Sequence, residues 1–441
     1  MLKRLSAALM AILLCTVFTG CNFLSSDIDS MMRPPRPTGT VYEVQLALER
    51  AVKGDFALKY PRTGNHQSAI VFKDIDSDGK EEALAFYTTQ SGTERTVNIH
   101  MNLLIQTEKG WESSHDIQLA GDGVEQVDFA DLDNDGKPEV IVGWQIYSTI
   151  DKRLAVYSIN EKKIVQKMQE KYFQYAISDL DLDEYPELLL ITQTDGKAVA
   201  KLFSLSSKGV SEKGSCMLDN NVTSYYTPVV STLRGGRQPA VYIDAAKGSD
   251  KIITELIFYD QNQKKFRNPF VDINSTDNIT QRRAPEICRD IDSDGVMDIP
   301  YTLPFGGYGE LSVDNSPYYI NWRNYDGQTF ETTLTTYMDY SGGYYLALKP
   351  SWVGFVTLTI KGSSRTFWLW DAKNKVATNM LLEIRIIPAE SWQNEAEKYS
   401  GYIVLESTDN NVYIAKLGEN LIDYQLTEEE LRASFHLLKT Y

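Results

Sequence analysis

Four times along this chain a short apolar run breaks into alternating acids, turns, and resumes as a second apolar run. The segments are AIVFKDIDSDGKEEALAFY (69–87), VDFADLDNDGKPEVIVGW (127–144), AISDLDLDEYPELLLI (176–191) and EICRDIDSDGVMDIPYTL (286–303). Short runs of apolar and β-branched residues on both sides of a polar turn predict strand, turn, strand. The first aspartates stand at 74, 131, 179 and 290, so the intervals are 57, 48 and 111 residues. The last interval is about twice the others. VVSTLRGGRQPAVYI (229–243) fills it as a copy that keeps the turn and the strands but has lost the acids.

A period near 50 residues made of short strands predicts an all-β chain of four-stranded antiparallel blades, a β-propeller. GGYYLALKPSWVGFVTLTI and GYIVLESTDNNVYIAKL supply β-type segments at the next two periods. Seven blades then span 41–441, and six with a terminal module fit the same length. Closure into a ring also answers the exposed-edge problem of so many strands. Two packing helices are expected beside the sheets. One covers VYEVQLALERAVK (41–53), and the other opens on a capping box from Thr427 to Glu430.

The first residues change the picture of where this domain works. Lys3 and Arg4 precede an apolar run from Leu5 to Phe18, too short to span a membrane and suited to a secretory signal over 1–20. The Val17-Phe18-Thr19-Gly20-Cys21 stretch resembles the lipobox of bacterial lipoproteins. That resemblance implies cleavage before Cys21, a diacylglycerol on its sulfur, and lipid anchoring to the extracytoplasmic face of the cell membrane. Residues 21–40, rich in Ser and Pro, read as a tether. Removing 1–20 deletes Lys3 and Arg4 and no acid, which takes the net charge from −16 to −18. An acidic body argues against nucleic acid as partner. Cys216 and Cys288 allow a disulfide or two free thiols.

The acids carry the candidate chemistry. Positions 1, 3 and 5 of the loops are Asp74, Asp76 and Asp78; Asp131, Asp133 and Asp135; Asp179, Asp181 and Asp183; Asp290, Asp292 and Asp294. Position 7 offers a backbone carbonyl at Lys80, Lys137, Tyr185 and Val296, and position 9 returns a carboxylate at Glu82, Glu139, Glu187 and Asp298. Hard oxygen donors in this number suit Ca²⁺ in a structural role, at three or four sites. Gly79, Gly136 and Gly295 sit at the sharp turn, where the third loop has Glu184, so that site is expected to be the weakest. An EF-hand is excluded, because its acid at position 12 is replaced by Ala85, Val142, Leu190 and Tyr301.

This nine-residue pattern between strands resembles the FG-GAP or VCBS repeats of integrin-α-like β-propellers. Together with the lipobox, YPRTGNHQSAIVFKDIDSDGKEEALAFY and YYLALKPSWVGFVTLTI look like FG-GAP-containing lipoproteins of Gram-positive, clostridia-like bacteria. The resemblance implies a fold and an address, and no activity. None of the four histidines has metal-ligand spacing, and no nucleophile elbow, P-loop or dinucleotide fingerprint occurs. The expectation is a non-enzymatic module that binds a protein or glycan partner. The alternative is a polysaccharide lyase or hydrolase with its site in the channel. The aromatic-rich stretch 301–345 is expected to fill blade interfaces, with a binding platform as its second reading.

Overall fold

The strands flanking the acidic loops form where the sequence pattern places them, except before the fourth loop, where Arg289 makes only an isolated bridge to Asp298. The computed structural model describes residues 39–91, 96–146, 152–271, 278–309, 316–418 and 423–438. The signal, the lipobox with Cys21 and nearly all of the tether lie outside the described residues. Among those described, no helix is long and apolar enough to cross a membrane.

The fold is all-β, and its antiparallel sheets are assembled mostly from strands consecutive in the chain, which is the blade organisation of a β-propeller. The first sheet holds Phe56–Leu58, Ile70–Lys73, Glu82–Ser91, Thr96–Thr107 and Gly110–Ala120. The second holds Gly123–Ala130, Glu139–Gln145, Lys152–Asn160 and Lys163–Lys171. The third holds Gln174–Ser178, Glu187–Thr194, Lys197–Ser206 and Gly209–Met217. The fourth centres on Pro239–Lys247 and Lys251–Asp260. The fifth runs from Ile299–Pro304 through Tyr318–Tyr325 and Phe330–Asp339 to Tyr344–Ala347, and the sixth from Val356–Lys361 to Asn411–Leu417.

Burial follows strand order. The strand after each of the first three acidic loops is buried on both faces, as in Glu187–Thr194, whose first six residues are buried. Ile299–Pro304, after the fourth, is buried only at its first two residues. The last strand of the third sheet, Gly209–Met217, is mostly exposed and correspondingly polar.

The chain divides into two compact units. The first contains residues up to Phe129 with Glu139–Asp151 and Ala155–Gln166, and the rest forms the second. In the first unit, Leu84, Phe86 and Met101 pack against Val140, Val142, Trp144 and Tyr157. In the second, Leu189, Ile191 and Leu202 of the third sheet meet Val241, Ile243 and Ile257 of the fourth. Tyr319 and Tyr337 of the fifth meet Leu358 and Phe367 of the sixth. Each such side chain contributes about 1.5–3 kcal/mol by burial.

Both expected helices are present. Thr40–Ala51 buries Val44, Ala47 and Leu48 against Ala83, Ala85 and Leu104. Glu428–Ser434 starts on the expected capping box, with Thr427 and Glu430 exchanging side-chain-to-backbone bonds.

The count of seven blades becomes six sheets among the described residues. The segment expected to start a separate blade is divided. Tyr344–Ala347 completes the fifth sheet and pairs with Phe435–Leu437 near the C-terminal end. Val356–Lys361 opens the sixth sheet. The expected last blade is a hairpin, Ile403–Ser407 with Asn411–Leu417, added to the edge of Val376–Pro388 in that same sheet.

Candidate functional site

The first aspartate of each acidic loop builds a common hydrogen-bonded skeleton. Asp74 accepts the backbone N–H of Asp78 at 3.1 Å on one oxygen and of Gly79 at 3.0 Å on the other. Asp131, Asp179 and Asp290 do the same toward their fifth and sixth residues. The fifth-position carboxylates accept the N–H of Lys80, Lys137, Tyr185 and Val296. At position 9, Glu82, Glu187 and Asp298 tie the loop shut by accepting the N–H of Ile75, Leu180 and Ile291 at 2.9, 2.9 and 3.1 Å. Glu139 is buried at the head of its strand.

The loops turn twice through the left-handed region. The fourth residues Ser77, Asn134, Leu182 and Ser293 have φ of 58, 54, 65 and 63°. At the sixth position Gly79, Gly136 and Gly295 each have φ 86°, and Glu184 is held at 74°. The strain expected at Glu184 is therefore present, and Leu182 adds a second strained residue to the same loop.

Carboxylate oxygens converge in all four loops. Asp74, Asp76 and Asp78 offer oxygens within 4.8 Å of one another, as do Asp290, Asp292 and Asp294. Asp131 and Asp133 are brought together likewise, and the third loop gathers Asp179, Asp181, Asp183 and Glu187. Glu82, Asp135 and Asp298 stand outside these groups.

Packing negative charge this closely has a measurable cost. Burial, with Asp135 and Asp131 adding repulsion, raises the pKa of Asp133, and burial with Asp294 and Asp290 raises Asp292. Burial lifts Asp298 to about 6 although Thr333 and the Ile291 N–H donate to it. Asp133 Oδ1 is buried without a hydrogen-bond partner, as is Asp181 Oδ1 of the third loop, whose other oxygen is held by a lysine. An orphaned oxygen inside a negative cluster is the condition that a hard cation relieves, so the second loop fits Ca²⁺.

The third loop differs. The Lys213 ammonium lies 2.6 Å from Asp181 Oδ2, 2.8 Å from Asp183 Oδ2 and 2.6 Å from Glu187 Oε1. Against the desolvation that burial imposes on it, these three partners raise the lysine pKa above its ordinary value. No local pattern marks Lys213 in the sequence, since it lies on a polar strand 26 residues beyond Glu187.

A second candidate site lies between the fourth and fifth sheets. It is a cleft of about 380 Å³ whose wall includes Leu233 and Gln238, from the copy of the loop that has lost its acids. That copy forms the expected turn, with Thr232 paired to Pro239 and positive φ at Gly235 and Gly236. Its Arg234 reaches across to Asp326 at 2.8 Å and to Glu331. Of its rings Phe258 and Tyr325 are buried and Tyr259 is half-buried, and Asn262, Gln263 and Gln328 supply amides. Both carboxylates of the cleft are committed. Asp260 accepts the Asn262 and Gln263 N–H groups and Arg267, which together hold its pKa low despite burial. The N–H groups of Thr329 and Gln328 hold Asp326 at about 2.

The aromatic stretch 301–345 is largely core. Phe305, Tyr319, Trp322, Tyr325, Tyr337 and Tyr344 are buried, while Tyr301 and Tyr340 keep exposed surface. Tyr340 and Tyr318 both donate to the fully buried Glu286, at 2.6 and 2.7 Å. Cys216 and Cys288 are free thiols. His100, which carries no sequence signal, joins a half-buried array: Nδ1 is 2.8 Å from Asp116 and Nε2 is 2.9 Å from the Thr89 hydroxyl.

No protein-family profile matches the sequence, and no curated relative does. Among solved structures, an exotype rhamnogalacturonan lyase is similar over 82% of this chain and 76% of its own, at 10% identity and a TM-score of 0.28. The rhamnogalacturonan lyase of Bacillus licheniformis is similar over 85% and 74%, at 10% identity and 0.29. The periplasmic gluconolactonase of Pseudomonas aeruginosa is similar over 73% and 86%, at 10% identity and 0.26. Superpositions this loose assign neither substrate nor activity to this chain.

Proposed function

We propose that this chain is a lipid-anchored, calcium-stabilised β-propeller that binds a neutral glycan outside the cell membrane. The observation that carries the glycan reading is the cleft between the fourth and fifth sheets. Its planar amides are groups that recognise sugar hydroxyls, and the half-buried Tyr259 leaves ring surface for a sugar C–H face. Its two carboxylates are already neutralised by Arg267, Arg234 and backbone N–H groups. Neither is held protonated at neutral pH, as the acid of a glycoside hydrolase must be, which favours binding over cleavage.

Calcium serves this reading as a strut. Asp74, Asp76 and Asp78, Asp131 and Asp133, and Asp290, Asp292 and Asp294 would hold the ions, which supply charge compensation and fix the turns. The resemblance to FG-GAP repeats agrees with that role, and the lipobox-like stretch ending at Cys21 supports an address at the membrane.

The test is a glycan array, followed by calorimetry with the hits on the full chain and on an Asn262→Ala, Gln328→Ala double variant. Binding that the double variant weakens about tenfold or more supports the proposal, since each lost neutral hydrogen bond is worth about 0.5–1.5 kcal/mol. Turnover of any bound polysaccharide would replace it with the enzymatic reading. A variant that binds every hit as tightly as the wild type would remove the cleft from consideration.

A further inference from the structure

We infer that the third acidic loop carries its own cation, the Lys213 ammonium, and takes no metal ion. The inference rests on the calcium reading of the other loops only for its contrast with them.

The device that delivers Lys213 is a β-bulge. Leu202 pairs with Gly214 and Phe203 with Glu212, so Lys213 is the extra residue of its strand. A bulge re-aims the side chain of its extra residue. Here it points Lys213 at the loop of its own sheet. Corresponding bulges leave Ser114 as the extra residue in the first sheet and Thr333 in the fifth. Thr333 Oγ1 donates to Asp298 Oδ1 at 2.7 Å, the acid that corresponds to Glu187. Ser114 Oγ donates instead to the Lys162 carbonyl at 2.7 Å. One backbone irregularity thus presents a neutral hydroxyl in two sheets and a full positive charge in the third.

That charge fills the place a metal would need. An ammonium has three donors, and those of Lys213 meet three carboxylates at 2.6–2.8 Å. A calcium ion would claim the same oxygens at about 2.3–2.6 Å and would then sit against a like charge. Leu182 and Glu184 at positive φ show that this loop keeps the metal-loop backbone even without its usual residues. The lysine accounts for that, because charge-assisted bonds to three loop acids hold the turn from outside.

Hydrogen–deuterium exchange on the full chain tests this, read at the amides of residues 179–187 in EGTA and in excess calcium. The wild-type third loop is expected to exchange at the same rate in both conditions. In EGTA, Lys213→Met is expected to exchange there about tenfold faster or more, the scale of losing charged hydrogen bonds. Calcium-dependent protection of the wild-type third loop would overturn the inference, and so would unchanged exchange in Lys213→Met. The loops at Asp74, Asp131 and Asp290 report separately. If none of them responds to calcium, the calcium reading fails while the Lys213→Met comparison in EGTA still decides this one.

Discussion

Arg282 donates to Asp244 across 2.6 Å with its guanidinium fully enclosed and the carboxylate nearly so. The remaining valences are filled. Asp244 also accepts the Cys288 N–H at 2.6 Å and the Thr254 hydroxyl at 2.8 Å, and Arg282 reaches Thr254, the Thr280 carbonyl and the Glu286 carbonyl. Removing one member of a buried pair strands the other charge, which costs more than the pair itself contributes. Arg282→Met is therefore expected to destabilise the chain by about 3–5 kcal/mol. Urea unfolding measures it, and a loss under about 1 kcal/mol would show that Asp244 finds water or a proton instead.

The opposite face of the same sheet holds a second buried carboxyl. Glu255 is fully buried and accepts the Asp219 N–H and the Asn268 amide, yet burial holds its pKa up at about 7. Folding raises this pKa above the ordinary 4.5, so the folded state binds the proton more tightly. The stability it contributes is complete below about 4.5 and is lost as pH rises through about 7. Urea midpoints recorded between pH 5 and 8 should fall for the wild type and fall less for Glu255→Gln, whatever the variant's absolute stability. Parallel curves would remove Glu255 as the titrating group.

The loops were legible in the sequence because acids two apart with a glycine at the turn leave a local signature. The strands beside them were legible by alternation. Blade number was not, because it depends on pairing at a distance. Tyr344 lies opposite Leu437, and Leu382 opposite Leu417. Lys213 was hidden for a similar reason. Its neighbours VSEKGSC read as an ordinary exposed strand, and only the bulge opposite Leu202 and Phe203 gives the lysine its direction. The cleft draws its wall from residues near 233, 260 and 327, and its one local hint was a loop copy stripped of acids.

Calcium dependence should be concentrated where an oxygen lacks a partner and no ammonium is bonded to the same carboxylate, as Lys213 is to Asp181. Asp133 Oδ1 is such an atom, and Asp131 organises the same loop. Melting in excess calcium should exceed melting in EGTA, with each occupied site adding about 2.7 kcal/mol at a hundredfold excess over its Kd. Asp131→Asn with Asp133→Asn should shrink that calcium increment. Asp181→Asn should leave the increment intact while lowering stability in both buffers, because it weakens the grip on Lys213. Scanning calorimetry separates the two patterns, and equal increments in all three proteins would mean that the second loop takes no ion.

Glu184 occupies the one sixth position among the four acidic loops that is not glycine, at φ 74°. A side chain held in the left-handed region costs about 1–2 kcal/mol, and glycine gives back part of that gain through the freer unfolded chain. Glu184→Gly is accordingly expected to stabilise the protein by about 0.5–1 kcal/mol. The contacts that hold the turn are unchanged by it, since Asp179 accepts the backbone N–H of residue 184 rather than its side chain. Leu182, at φ 65°, offers an independent check: Leu182→Asn should also stabilise, because Asn tolerates this region. Both gains should be the same in EGTA and in calcium, because the cation of this loop is covalently part of the chain. A stabilisation that appeared only with calcium would show that removing the strain had opened the loop to a metal despite Lys213.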